Sequence, residues 1–281
     1  MKSLAVALVF IGLALVVVLA QQNFDNVQIQ TTRVAGPVHM LEGSGGNIGV
    51  SAGVDGLLMI DDQYAPLAPK IETALEDLNA GALQFIINTH FRGDHTGGNE
   101  SFGKSAPIIA HVNTRKRLLE QPRAAWPVVT FDDDASVHFN DEEIQIVHYA
   151  NGHTDGDVII FFTGSNVVHM GDHFFVDRFP FADVDNGGNA LNLMRNVGQI
   201  LERVRPDTQI IPGHGRLASV DDLRRYHVML GEMIDFVAEK KAAGDPLERI
   251  QEYGVPPAYE SWGTGFINGE RWIEIVYGSL S

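Results

Sequence analysis

No cysteine occurs anywhere in the chain of 281 residues. That absence excludes disulfides, thiolate zinc fingers, iron–sulfur clusters and a cysteine nucleophile together. Basic side chains are scarce as well: 20 lysines and arginines face 36 aspartates and glutamates, for a formal net charge of −16. A surface with that balance repels phosphate backbones, so nucleic acid is not an expected partner. Linkers, low-complexity tracts and short-period repeats are lacking, and beyond residue 20 no apolar run is long enough to span a bilayer. Any metal site must therefore be built from imidazole and carboxylate, and 11 histidines are available for it.

What is present begins with the first 20 residues. Lys2 supplies a positive start, Leu4 to Leu19 is an uncharged apolar run, and Val18-Leu19-Ala20 is a small-x-small cleavage pattern before Gln21. That combination reads as a secretory signal peptide, with a retained membrane anchor as the alternative. The expected mature protein, residues 21–281, is one exported domain, periplasmic if the source is a Gram-negative bacterium. It is long enough to bury a large core without staples.

Strand-like runs come first, at residues 27–33, 37–42, 47–52 and 56–60, separated by turns that contain glycine. Residues 66–79 read as an amphipathic helix, with Ile71, Ala74, Leu75 and Leu78 at helical spacing. Strands at 84–88 and 107–111 and a helix at 113–120 follow. The second half repeats the alternation: strands at 143–149, 157–163 and 166–170, a helix at 191–204, a strand at 208–211 and a helix at 220–241. Strands followed by helices, twice over, predict two sheets packed face to face with helices outside, a four-layer αββα sandwich.

The densest polar cluster is Thr89-His90-Phe91-Arg92-Gly93-Asp94-His95-Thr96-Gly97-Gly98-Asn99, directly after the apolar strand at 84–88. A rigid strand can aim loop side chains there. Three similar clusters also end apolar strands: Gly152-His153-Thr154-Asp155, Gly171-Asp172-His173 and Pro212-Gly213-His214-Gly215. Each pairs glycine with His or Asp, where the backbone turns tightly and a ligand can come close. Taken singly, each is an ordinary loop histidine or turn aspartate. Together, His90, Asp94, His95, His153, Asp172 and His214 form an all-nitrogen-and-oxygen ligand set that suits zinc.

In these four ordered motifs the chain resembles the metallo-β-lactamase superfamily, whose first loop reads His-x-His-x-Asp-His and whose later ligands are His, Asp and His. The resemblance runs from Gly43-Ser44-Gly45-Gly46-Asn47 to the Pro-Gly-His-Gly segment and implies the same αββα fold. It also implies that His90 and His153 serve a first metal position, that Asp94, His95 and His214 serve a second, and that Asp172 bridges them. The β-lactamase subclasses with a cysteine ligand are excluded, because Asp172 stands in that part of the site.

One position departs: Arg92 occupies the place of the second histidine. Arginine has no lone pair to give, and deprotonating it at pH 7 costs about 7 kcal/mol. At ~6 Å and an effective dielectric of ~20 its charge repels a divalent ion by about 5 kcal/mol. The expectation is one zinc held firmly by Asp94, His95 and His214, with the other position weak or empty. Arg92 reads either as a partner of Asp172 or a clamp on a substrate carboxylate, or as a drifted position in a partly disabled enzyme.

The expected chemistry is zinc-activated hydrolysis of a small molecule bearing a carboxylate. Asp94 orients the nucleophile or moves its proton, and Asp172 shares that duty. The first expectation for the substrate is a β-lactam amide. The alternatives are small esters, lactones or thioesters, or a metal-binding periplasmic accessory protein with little turnover. Asp61 and Asp62 read equally as partners that orient a ligand imidazole or as turn residues. His173 reads as structural, and Phe174, Phe175, Phe179 and Phe181 as packing or as a substrate groove beside Arg178.

Overall fold

Residues 24–280 are described by the structure, a computed structural model. The signal-peptide reading of residues 1–20 lies outside the described residues. The layering follows from single strands. β4 (Gly56–Ile60) reads GLLMI and is buried throughout. Successive side chains of a strand point to opposite faces, so a strand without a polar face needs apolar partners on both sides. Leu58 and Ile60 enter a core with Met40, Ile87, Ile146 and Ile160, whereas Leu57 and Met59 enter a second with Leu67, Ile71 and Leu75. β10 (Val158–Phe162) repeats the device: Val158, Ile160 and Phe162 join the first core. Its Ile159 and Phe161 turn to a third core with Val197, Leu223, Leu230 and Trp272. Three cores separate four layers, and the expected αββα sandwich is the observed fold.

The first sheet runs in chain order through β1 (Gln30–Ala35), β2 (Val38–Glu42), β3 (Ile48–Gly53), β4, β5 (Leu83–Ile87), β6 (Ile108–His111) and β7 (Val129–Phe131). Its early pairs are antiparallel, and from β4 to β7 the strands run parallel. The second sheet holds β8 (Asp134–Phe139), β9 (Glu142–His148), β10, β11 (Val167–His169), β12 (Gln209–Ile211) and β13 (Ala218–Ser219), ordered β13-β12-β11-β10-β9-β8. β10 is antiparallel to both β9 and β11, and β12 is parallel to β11. Hence β9, β11 and β12 all end at one edge of their sheet, as β4 and β5 do in theirs. Loops leaving those ends carry all six expected ligands.

Helix α1 (Ala68–Glu76) covers the first sheet, and α5 (Ala190–Arg203), α6 (Val220–Ala242) and α8 (Gly269–Ser279) cover the second. α6 opens on a capping box in which Ser219 and Asp222 each satisfy the other's backbone N–H. Between these lie α2 (Gly93–Thr96), α3 (Asn99–Phe102), α4 (Val112–Leu118) and α7 (Leu247–Tyr253). The elements read from periodicity occur within a few residues of their expected ends. β7, β8, β13, α2, α3, α7 and α8 were not among the expected elements. β8 opens on Asp134, the last of the acidic run Asp132-Asp133-Asp134, and its burial alternates with the polar face outward.

Candidate metal centre

The site assembles around Asp172, which follows β11 in a short 3-10 turn and is buried. Its Oδ1 lies 3.0 Å from His95 Nε2 and 3.2 Å from His214 Nε2. Its Oδ2 lies 3.4 Å from His153 Nε2 and 3.8 Å from His90 Nε2. Asp94 Oδ2 stands 3.4 Å from His214 Nε2 and 3.8 Å from His95 Nε2. Ligand atoms of Asp94, His95 and His214, and separately of His90, His95 and Asp172, lie within 4.8 Å of one another. The six expected ligands therefore meet, with Asp172 turned toward both histidine groups. Of the Asp172 carboxylate His153 approaches only Oδ2, and it stands outside these two close groups.

Why each imidazole presents Nε2 follows from what holds its Nδ1. His95 Nδ1 bonds Asp61 Oδ2 at 2.7 Å. The same oxygen accepts the Thr89 hydroxyl at 2.7 Å, and Thr89 Oγ1 lies 2.9 Å from His90 Nδ1. Because the hydroxyl proton goes to Asp61, Oγ1 accepts from His90 Nδ1–H. His153 Nδ1–H donates to the Phe181 carbonyl at 2.6 Å. In His90 and His153 the proton sits on Nδ1 and the Nε2 lone pair faces Asp172, and in His95 the Asp61 carboxylate fixes Nδ1–H so that Nε2 faces Asp172. His214 is held differently, stacked on Phe175 at 4.9 Å between centroids.

A metal fits these residues on two grounds. His90 Nε2 and His153 Nε2 are buried without a hydrogen-bond partner among the described residues. Unpaired buried polar atoms converging on one point are costly unless something binds there. The electrostatics point the same way. Burial disfavours the Asp172 charge, but His95, His214, His153 and His90 outweigh it and hold its carboxyl well below the usual range. Burial likewise opposes charge on His95 and His214, yet Asp172 and Asp94 prevail, raising His95 well above its usual value and His214 to about 9. This half of the site favours a cation. At His90 and His153 burial dominates and lowers both, keeping the rings neutral.

Backbone packing leaves no slack around the ligands. The loop between β2 and β3 crosses the site: Gly46 N–H donates to the Asp94 carbonyl at 2.9 Å, and Asn47 N–H to the Gly213 carbonyl at 2.8 Å. A Cβ on Gly46 would lie 2.0 Å from His95 Cε1, and one on Gly213 would lie 2.3 Å from Asp172 Oδ1. Only glycine permits that approach.

Arg92 corrects one expectation. It pairs not with Asp172 but with Asp183, Nη1 to Oδ2 at 2.9 Å, and its guanidinium lies 4.7 Å over the Phe181 ring. With Asp94, Asp172 and His214 it lines a cavity of about 420 Å³, whose wall also includes Tyr64, Phe175, Arg178, Phe181 and Phe266. Phe175, Phe179 and Phe181 thus reach the groove, whereas Phe174 belongs to the core. His173 is structural: burial lowers its pKa to about 3, and its Nε2 accepts from Asn196 at 3.1 Å. Asp62 supports the loop by accepting Gly98 N–H at 2.8 Å. Tyr64, Asp183 and Phe266 carry no motif that marks them in the sequence.

Comparison with known proteins now decides the family. The family model described as the metallo-beta-lactamase superfamily matches residues 49–214, more than half of the chain and every candidate ligand above. The chain belongs to the metallo-beta-lactamase superfamily. Its members are hydrolases. A hydroxyacylglutathione hydrolase from Gloeobacter violaceus is 29% identical over 126 residues, covering 42% of this chain and 48% of its own. One from Prochlorococcus marinus is 28% identical over 98 residues, 34% of this chain and 38% of its own. The chain thus spans about half the length, or less, of these curated relatives. Among solved structures, a metallo-beta-lactamase from Pontibacter korlensis aligns with a TM-score of 0.64 at 15% identity, over 73% of this chain and 99% of that one. The DIM-1 metallo-beta-lactamase gives 0.63 at 17% identity, with the same coverage. At such identity these two establish the fold.

Proposed function

We propose that this superfamily member is a zinc-dependent hydrolase of small acyl compounds, esters or thioesters, exported by way of residues 1–20. The observation that carries the reading is the single buried carboxylate of Asp172, facing His95 and His214 with one oxygen and His90 and His153 with the other. Asp94, His95, His214 and Asp172 would hold one ion firmly. His90, His153 and Asp172 would hold a second weakly, because Arg92 supplies no ligand there and its charge still acts on His90 and His153. Zinc bound there supplies Lewis acidity and brings the pKa of water to near 7.

The chain's own residues supply the rest. Asp94 is lowered in pKa: burial opposes its charge, but His95 and His214 outweigh that. Its carboxylate is partly open to the cavity, so it is placed to orient an attacking water and accept its proton. The name of the curated relatives, hydroxyacylglutathione hydrolase, supports an acyl–sulfur bond as the one cleaved. A β-lactam amide, the first expectation from the sequence, draws support from Arg92 and Arg178, since β-lactams carry a carboxylate beside the amide.

An aryl ester, a thioester and a chromogenic cephalosporin, tested with zinc-loaded protein and His214→Ala as control, separate these readings. Zinc-dependent turnover of the ester or thioester, lost in His214→Ala, is expected. Turnover of the cephalosporin alone transfers the assignment to β-lactams. No turnover on any of the three overturns the enzyme reading in favour of a metal-binding accessory role.

A further inference from the structure

Arg92 is held too deliberately for a drifted position. Asp183 Oδ2, which accepts from Arg92, also accepts from Asn186 Nδ2 at 2.9 Å. The Asn186 side-chain oxygen in turn accepts from Arg117 Nη1, and Arg117 grips Asp155 with two bonds of 3.1 and 2.8 Å. This chain of contacts runs from α4 to the cavity wall and fixes the guanidinium over Phe181. Only one of the five guanidinium donors is used by a side chain among the described residues, and 32% of the Arg92 side chain stays exposed. Arg178 lines the same cavity with no carboxylate partner among the described residues. Beside them the wall is aromatic: Phe266 meets Phe181 edge-on at 6.3 Å and is 85% exposed at the rim. An aromatic ring left in water next to two guanidinium groups describes the shape of an amphipathic ligand.

We propose that the substrate is an acyl compound carrying a carboxylate on an apolar, aromatic-sized body. Arg92, assisted by Arg178, binds the carboxylate through its remaining donors, and Phe181 and Phe266 receive the body. Asp183 is the positioning residue that keeps Arg92 on the cavity wall. The position that gives up a metal ligand thus becomes a specificity determinant. This assignment rests on the hydrolase reading for the word substrate, but not for the binding site itself.

Binding and turnover are therefore tested separately. Calorimetry with each protein loaded to one zinc per chain compares phenylacetate with neutral phenylacetamide, and elemental analysis verifies that occupancy in every variant. The parent protein is expected to prefer phenylacetate by about tenfold or more, and Arg92→Gln to cut that preference about tenfold. Asp183→Asn should cut it by an intermediate factor, and Phe266→Ala should weaken both ligands alike. A preference unchanged in the Arg92→Gln, Arg178→Gln double variant overturns the anion site. Matched thioesters with and without a terminal carboxylate supply the kinetic arm: Arg92→Gln should raise KM for the charged member about tenfold more than for the neutral one. If neither thioester is cleaved, the thioester reading fails while the calorimetry still decides the site.

Discussion

Asp61 holds His95 from behind, its Oδ2 2.7 Å from Nδ1, with both side chains wholly buried. The same carboxylate takes the backbone N–H and the hydroxyl of Thr89, each at 2.7 Å, and so reaches His90 through that hydroxyl. One aspartate at the end of β4 thereby sets the proton position on a ring of each histidine group. Removing such a support costs about 10–100-fold in metal affinity. Asp61→Asn, which keeps the volume and loses the charge, is expected to weaken zinc binding by that factor in competition with a chromophoric chelator. Unchanged affinity would show that His95 orients itself.

Metal stoichiometry should follow charge. After exhaustive dialysis, elemental analysis is expected to find about one zinc per chain in the parent protein and close to two in Arg92→His. Two firmly held zinc ions in the parent would sink the idea that Arg92 weakens the second position.

Gly46 should not tolerate a side chain. The Cβ of Gly46→Ala meets the His95 ring, which Asp61 holds from behind, and overpacking of this kind costs about 1–3 kcal/mol. Chemical denaturation should show that loss, and zinc content should fall with it. A variant with normal stability and full zinc would mean that the loop between β2 and β3 yields freely.

Arg117 ties α4 to Asp155 and Asn186, near His153 and Asp183 respectively. Bonds of charged groups such as these contribute roughly 1.5–3 kcal/mol when partly shielded. Arg117→Ala should lower stability by about that amount in denaturant titration. It should also blunt the preference for phenylacetate, because Asn186 loses its own support. Loss of stability with the preference intact would confine Arg117 to a structural role.

Asp222 gives the pH dependence. Hydrogen bonds from Arg216, with help from Ser219 and Arg225, outweigh burial and hold its carboxyl well below the ordinary 3.8. A depressed folded pKa means that the stabilisation is complete above the unfolded value and is lost as the pH falls below it. Asp222→Asn should therefore destabilise at pH 6, and the gap to the parent protein should close progressively below about pH 4. A gap independent of pH would assign the effect to helix capping by shape alone.

The candidate cluster was legible because each of its four segments follows an apolar strand and contains glycine, a local pattern that short windows of sequence contain. The sandwich was legible for the same reason: runs such as VIIFF have no polar face and demand two apolar layers. β8 and α8 were not, since one begins in an acidic run and the other lies in a stretch with no assigned helical pattern. The partner of Arg92 was not legible either. Chemistry suggested Asp172, a ligand in the same site, but the guanidinium goes to Asp183, 91 positions away.

Sequence alone thus determined the absence of thiol chemistry, the imidazole and carboxylate donors, and the misfit of arginine as a ligand, because these are properties of side-chain types and short-range order. Only the tertiary structure decided that Asp172 faces both histidine groups, that Asp61 governs two rings, and that Arg92 turns from the ligands toward the cavity wall. Those facts depend on which strand ends share an edge of the sandwich and on which buried donor meets which acceptor, and both are settled only when the whole chain packs.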